Sequence, residues 1–234
     1  DVSAYLIQNQ GVGQRALPLV EVLLRHQIKV FELAKGIEIE ATRYQVGNAY
    51  IVPTLQPQAR LLKTLMDRVT EFNDQVFYDV STWTLPLAFG VEVDEIKEDP
   101  RGYTGNEVSL PLAPSGSLVG NPARYGYLVE WENYLSPRAL YRLQKSDISV
   151  RVLKKAAVIE AAGTRHTLNP GTLIVPVHQL RVEPRVVHEA VAKIVEADGA
   201  TVIGVSTGLT FSGPNLGSPS AAPLEIPRIA LITG

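Results

Sequence analysis

Apolar positions in the first seventy residues switch between two periods, and the switches mark the elements expected there. Tyr5 to Gln8 is a short apolar run of strand length, whereas Ala16 to His26 carries Leu17, Val20 and Leu24, with Leu23, at helical spacing. Pro18 puts the start of that helix close by, because proline is tolerated in a first turn and disruptive beyond it. Three short β-rich runs follow, Ile28 to Leu33, Ile37 to Ala41 and Ala49 to Val52, each bounded by turn-forming residues. Pro57 then opens a second helix through Leu61, Leu62, Leu65 and Val69.

The same order of runs returns in the second half. Ala4-Tyr5-Leu6-Ile7 is echoed by Gly126-Tyr127-Leu128-Val129, 122 residues on from Tyr5 to Tyr127, and Ala49-Tyr50-Ile51-Val52-Pro53 by Thr172-Leu173-Ile174-Val175-Pro176, 123 residues on from Pro53 to Pro176. Between these anchors Arg15-Ala16-Leu17 matches Arg138-Ala139-Leu140, Ile28-Lys29-Val30 matches Ile148-Ser149-Val150, and Ile39-Glu40 matches Ile159-Glu160. Ser136-Pro137 reads as an N-cap with proline at the first helical position. Pro184 to Ala197 reads as a helix closed by Gly199, and Thr201 to Val205 as the strand completing the unit.

Each copy therefore reads strand, helix, strand, strand, strand, helix, strand. Strands alternating with helices of this length predict an α/β fold: two similar open-sheet units, mixed but largely parallel, flanked by helices and related by internal duplication. The strand pair around Ile39 and Tyr50 is expected as an antiparallel addition. The units are expected over 1–96 and 122–210. Residues 97–121, rich in proline and glycine, read as a connection, with an edge strand expected at Val108 to Leu112. Residues 211–234 read as a linker ending in the first strand of a following domain, since Pro227 precedes the apolar run Ile229 to Ile232 and a glycine; the chain is expected to be a fragment.

Composition narrows the partners. With Lys+Arg 22 against Asp+Glu 24, there is no basic field for nucleic acid and no polybasic cluster for an anionic membrane. The apolar runs fall short of the roughly 18–20 residues that span a bilayer. The absence of cysteine excludes disulfides, thiolate metal sites and thiol nucleophiles.

Three stretches carry a resemblance: Gly47-Asn48-Ala49-Tyr50-Ile51-Val52-Pro53; Tyr78-Asp79-Val80-Ser81-Thr82-Trp83-Thr84-Leu85-Pro86 with Gly90-Val91; and Asn215-Leu216-Gly217-Ser218-Pro219 leading to Pro227-Arg228-Ile229-Ala230-Leu231. Together they resemble the region after the catalytic domain of large bacterial zinc carboxypeptidase-like proteins of the carboxypeptidase A-like family. The resemblance implies a non-catalytic accessory region between a peptidase domain and a class I glutamine amidotransferase-like domain. It implies neighbouring domains of the same chain as partners, zinc in the parent peptidase domain and none in this segment, and a periplasmic or secreted location. The peptidase chemistry needs a His-x-x-Glu pair. The residues three places after the four histidines His26, His166, His178 and His188 are instead Lys29, Asn169, Arg181 and Val191. No catalytic, cofactor-binding or metal-binding residue is therefore assigned in this segment, and any hydrolase activity is expected in the parent chain.

Several motifs invite other readings. Gly11-Val12-Gly13-Gln14-Arg15-Ala16 fits G-x-G-x-x-A, with Glu32 ending the next strand, which is the context of a dinucleotide site. Asn9 and Gln10 loosen that turn, and an ordinary loop is preferred over a small-ligand or nucleotide site. Gly204-Val205-Ser206-Thr207-Gly208 fits a nucleophile elbow but lacks the following helix and a later histidine. His178, Glu183, His188 and Glu189 have no zinc-like spacing, and the acidic run Glu92, Asp94, Glu95, Glu98 and Asp99 reads as a solvated linker rather than a calcium loop. Trp83 is expected to be buried; Trp131, Tyr78, Tyr125, Tyr127 and Tyr134 complete the aromatic set suited to packing or an interface. A substrate-selecting role beside the peptidase cleft is a further alternative.

Overall fold

The computed structural model describes residues 1–9, 14–68, 84–226 and 230. The chain divides into two compact units, Asp1–Ala113 and Pro114–Gly234. The segment expected as a connection is thus shared between them, and strands from it close an edge of each sheet.

The first unit contains β1 (Ala4–Gln8), α1 (Ala16–Arg25), β2 (Phe31–Leu33), β3 (Ile37–Ile39), β4 (Thr42–Tyr44), β5 (Ala49–Pro53), α2 (Ala59–Met66), α3 (Leu85–Phe89), β6 (Val93–Ile96) and β7 (Thr104–Glu107). Its sheet runs β6-β1-β5-β2-β7, with every pairing antiparallel. Since β1 and β2 both pair antiparallel with β5, they run parallel to each other with β5 between them. The β1-α1-β2 crossover is real, but it skips a strand, and β5-α2-α3-β6 likewise spans β1. Two interlocked split β-α-β units of this kind make the ferredoxin-like topology. Here it carries an inserted hairpin, β3-β4.

The second unit contains β8 (Ser117–Val119), β9 (Gly126–Val129), α4 (Ser136–Lys145), β10 (Val150–Leu153), β11 (Ala157–Ala161), β12 (Thr164–Leu168), β13 (Leu173–Pro176), α5 (Pro184–Asp198), β14 (Thr201–Val205) and β15 (Ala221–Leu224). Its sheet runs β15-β10-β13-β9-β14-β8. The inner order β14-β9-β13-β10 repeats the β6-β1-β5-β2 order of the first unit, and β11-β12 is again a hairpin inserted before the third strand of the sheet. β15 arises from residues expected as linker.

The expectation of largely parallel strands is corrected: among the described pairings, β14 with β8 is the one parallel pair. The cause is visible in the burial of the central strands. β1 and β9 are buried at nearly every position, a pattern usual for parallel strands covered by helices on both faces. In each unit here the helices cover one face, and residues from the inserted hairpin cover the other. Tyr5 and Ile7 pack with α1 and α2, whereas Ala4 and Leu6 pack with Leu33, Tyr44 and Ile51. Tyr127 and Val129 face α4 and α5, whereas Leu128 faces Ile159, Ala161 and Leu168. Hairpins, not a second helical layer, make these strands apolar throughout.

Local signals recur at matched places. On α1 the buried stripe is Ala16, Leu19, Val20 and Leu23, which departs from the face through Leu17 and Leu24. The helix is apolar on several sides, so periodicity does not settle its phase. α1 and α4 both end in a Schellman motif: Ile28 N–H donates to Leu23 O (3.0 Å) and Gln27 N–H to Leu24 O, while Ile148 N–H donates to Leu143 O (3.2 Å) and Asp147 N–H to Gln144 O. The turn residues Gln27 and Asp147 have φ of 59° and 56°. Ile28 and Ile148 follow into the core.

A side-chain clamp repeats as closely. Gln56 donates from Nε2 to Pro53 O (2.6 Å) and Lys29 O (3.3 Å) and accepts Lys29 N–H at Oε1 (2.7 Å). Gln179 donates to Pro176 O (2.8 Å) and Ser149 O (3.1 Å) and accepts Ser149 N–H (2.7 Å). Each glutamine ties the chain entering the second sheet strand to the end of the third.

Candidate functional site

A concavity lies in the first unit, where β1 and β2 begin and β5 ends. It is a groove of about 840 Å³ lined in part by Lys29, Phe31, Pro53, Leu55, Pro100 and Arg101. This is the N-terminal end of β1, not the strand end at which open parallel sheets bind ligands. Its hydroxyls are engaged: Thr54 Oγ1 donates to Val2 O at 2.8 Å, and Ser3 Oγ to Lys97 O at 3.1 Å. Its cations are paired, Lys29 with Glu107 at 3.5 Å and Arg101 with Asp99. That pairing holds the Asp99 carboxyl down to about 2, chiefly through the hydrogen bonds from Arg101. The groove brings apolar side chains such as Phe31, Pro53 and Pro100 together with these paired ions.

A second polar centre sits beneath α5. Tyr127, fully buried, has its hydroxyl 2.6 Å from Asn121 Oδ1 and 2.6 Å from His188 Nδ1, and it also receives Ala123 N–H at 3.3 Å. The hydroxyl donates its one proton to Asn121 Oδ1 and lies within hydrogen-bond reach of His188 Nδ1 as well. Burial pushes the Tyr127 hydroxyl up, against the Ala123 hydrogen bond. The rings meet edge-on at 5.6 Å.

The remaining buried charge holds helices together. Asp198, fully buried at the end of α5, accepts from Arg138 Nε (2.5 Å) and Arg142 Nε (3.2 Å), both on α4. Asn133 donates to Gly199 O (2.6 Å), and Ser136 donates to Glu130 O (3.1 Å) rather than capping α4.

The sequence candidates are thus dispersed. Gly11, Gly13, Tyr78, Trp83 and residues 231–234 lie outside the described residues. Glu32 accepts from Asn106 on β7 at 3.2 Å. Ser206 is exposed and leads into bends and turns. His178 is exposed in the turn after β13, and Glu189 pairs with Arg185 at 2.7 Å. In the acidic run, Asp94 accepts from Tyr44 (2.8 Å), Glu98 from Tyr103 (3.1 Å) and Asp99 from Arg101, so the carboxylates anchor separate elements. The Tyr44 hydroxyl is raised, first by burial and then by Asp94. Among the described residues no three His, Asp or Glu side chains stand together as a metal site, and no helix is long and apolar enough to cross a membrane.

Trp131 and Tyr134 are 40% and 50% exposed on the loop between β9 and α4, which offers them as contact residues rather than core. Glu130, exposed on the same loop, is raised by partial desolvation and by Glu132, with His166 opposing. Sequence reasoning missed the Gln56 and Gln179 clamps, the Asp198 ion pairs and the Asn121-Tyr127-His188 centre. Only the first had a signal, a glutamine three residues beyond Pro53 and Pro176. No family model, curated protein or solved structure matches the chain.

Proposed function

We propose that the chain is a non-catalytic accessory region, one unit of two interlocked split β-α-β motifs copied in tandem, that spaces or orients neighbouring domains of a larger exported zinc carboxypeptidase-like protein. The observation that carries the module reading is the matched construction of the two units: the same inner strand order, the same Schellman ending and the same glutamine clamp. Such repetition of supporting detail favours a scaffold, because most of the polar groups described above tie one element to another. The link to the peptidase rests on the resemblance of Gly47–Pro53, Tyr78–Pro86 and Asn215–Leu231. In that reading zinc is held by the parent peptidase domain, and the protein is periplasmic or secreted.

The test is deletion of residues 1–234 from the longer chain. Folding yield or secretion is expected to fall sharply, while turnover of a minimal substrate per bound zinc stays within a few-fold. Loss of turnover with folding and secretion intact would sink the scaffold reading. The first-unit groove favours a second reading, selection of a peptide segment for the peptidase; changed substrate preference upon Phe31→Ala, with folding unchanged, would support it.

A further inference from the structure

The two units differ at one edge. In the second, β8 adds in parallel to the outer side of β14, pairing Ser117, Leu118 and Val119 with Thr201, Val202 and Ile203. The residues just after β8 then turn inward, and Asn121 and Ala123 provide two of the partners of the Tyr127 hydroxyl. In the first unit β6 takes the place of β14, and among the described residues nothing pairs with its outer side. Tyr5 takes the place of Tyr127; it is 2% exposed, and its buried hydroxyl has no hydrogen-bond partner among the described residues. A buried hydroxyl left unmatched is destabilising. A cavity of about 330 Å³ opens at this place, lined by Tyr5, Met66, Arg68, Val93 and Glu95 among others.

We propose that the outer edge of β6 seats an added parallel strand, supplied by the polypeptide leading into Asp1, whose following residue turns a side-chain carbonyl onto the Tyr5 hydroxyl. The proposal rests on the reading of the chain as part of a longer protein. The 122-residue offset between Tyr5 and Tyr127 sets the counterpart of Ser117–Val119 just ahead of Asp1.

The register also limits the strand. Glu92 turns its carbonyl to Gln8 on β1, so Val93 turns its N–H and C=O outward, ready for pairing. In the second unit the position across from Tyr127 is Gly204, where a Cβ would run into the Gly120 carbonyl. In the first unit the position across from Tyr5 is Glu95. The added strand must therefore leave the edge before Glu95, and the carboxylates of Glu92, Asp94 and Glu95 favour a segment free of acidic residues.

Amide exchange resolved by residue tests this on chain 1–234 and on the same chain preceded by its native upstream residues. The Val93 amide is expected to exchange at least tenfold more slowly in the longer chain. Tyr5→Phe should undo that protection there while leaving Val93 exchange in chain 1–234 unchanged. Equal Val93 exchange in the two chains, equal effects of Tyr5→Phe in both, or a native chain that starts at Asp1 would each overturn the proposal. The outcome is independent of whether a His-x-x-Glu pair occurs further upstream, so failure here and failure of the peptidase reading are told apart.

Discussion

At the residue scale, the Tyr127 hydroxyl in the second unit serves an asparagine, a histidine and a backbone N–H at once. Tyr127→Phe leaves Asn121 and Ala123 N–H without that partner and is expected to cost about 1–3 kcal/mol in urea unfolding. Glu130 makes a prediction of opposite character. Its folded-state value is raised, so the folded protein binds the proton more tightly than the unfolded chain. Stability should therefore fall as pH rises from the ordinary carboxylate value through the raised one, and Glu130→Gln should remove that fall. Urea midpoints measured across the carboxylate range, wild type against variant, check the sign.

At the element scale, the glutamine clamps are the matched pair that most directly compares the units. Gln56→Ala and Gln179→Ala each remove three hydrogen bonds and uncover backbone groups at a strand end. Each is expected to destabilise by about 1–3 kcal/mol, and by similar amounts, in chemical denaturation of the single variants. Much of the element pattern was legible in the sequence, because local signals suffice for it. Pro184 and Gly199 bracket α5, and Tyr5 and Tyr127 sit in the buried first strands. Strand direction was not legible. β1 and β9 look like members of a parallel sheet because both faces are buried, and only long-range packing reveals that a hairpin covers one of them. The phase of α1 escaped for a related reason, since leucines and valines surround it. The polar centres at Asp198 and Tyr127 join residues some sixty positions apart, beyond any local pattern.

At the scale of the whole molecule, the chain forms two units, each with its own core on both faces of its own sheet. Residues once expected as connection and linker belong to those sheets: β7 pairs with β2, β8 with β14, and β15 with β10. A fragment ending at residue 96 lacks β7 and the Val108 N–H that bonds Val30 O. It exposes the outer side of β2 and is expected to unfold at lower urea than a fragment ending at residue 113. The most direct test of the two-unit claim is urea unfolding of fragments 1–113 and 114–234, produced separately and followed by circular dichroism and amide exchange. Each should fold alone with a single cooperative transition and protect the amides of its central strands, β1 and β5 in one and β9 and β13 in the other. Fragments that stay unprotected apart, and recover these strands only when mixed, would contradict it.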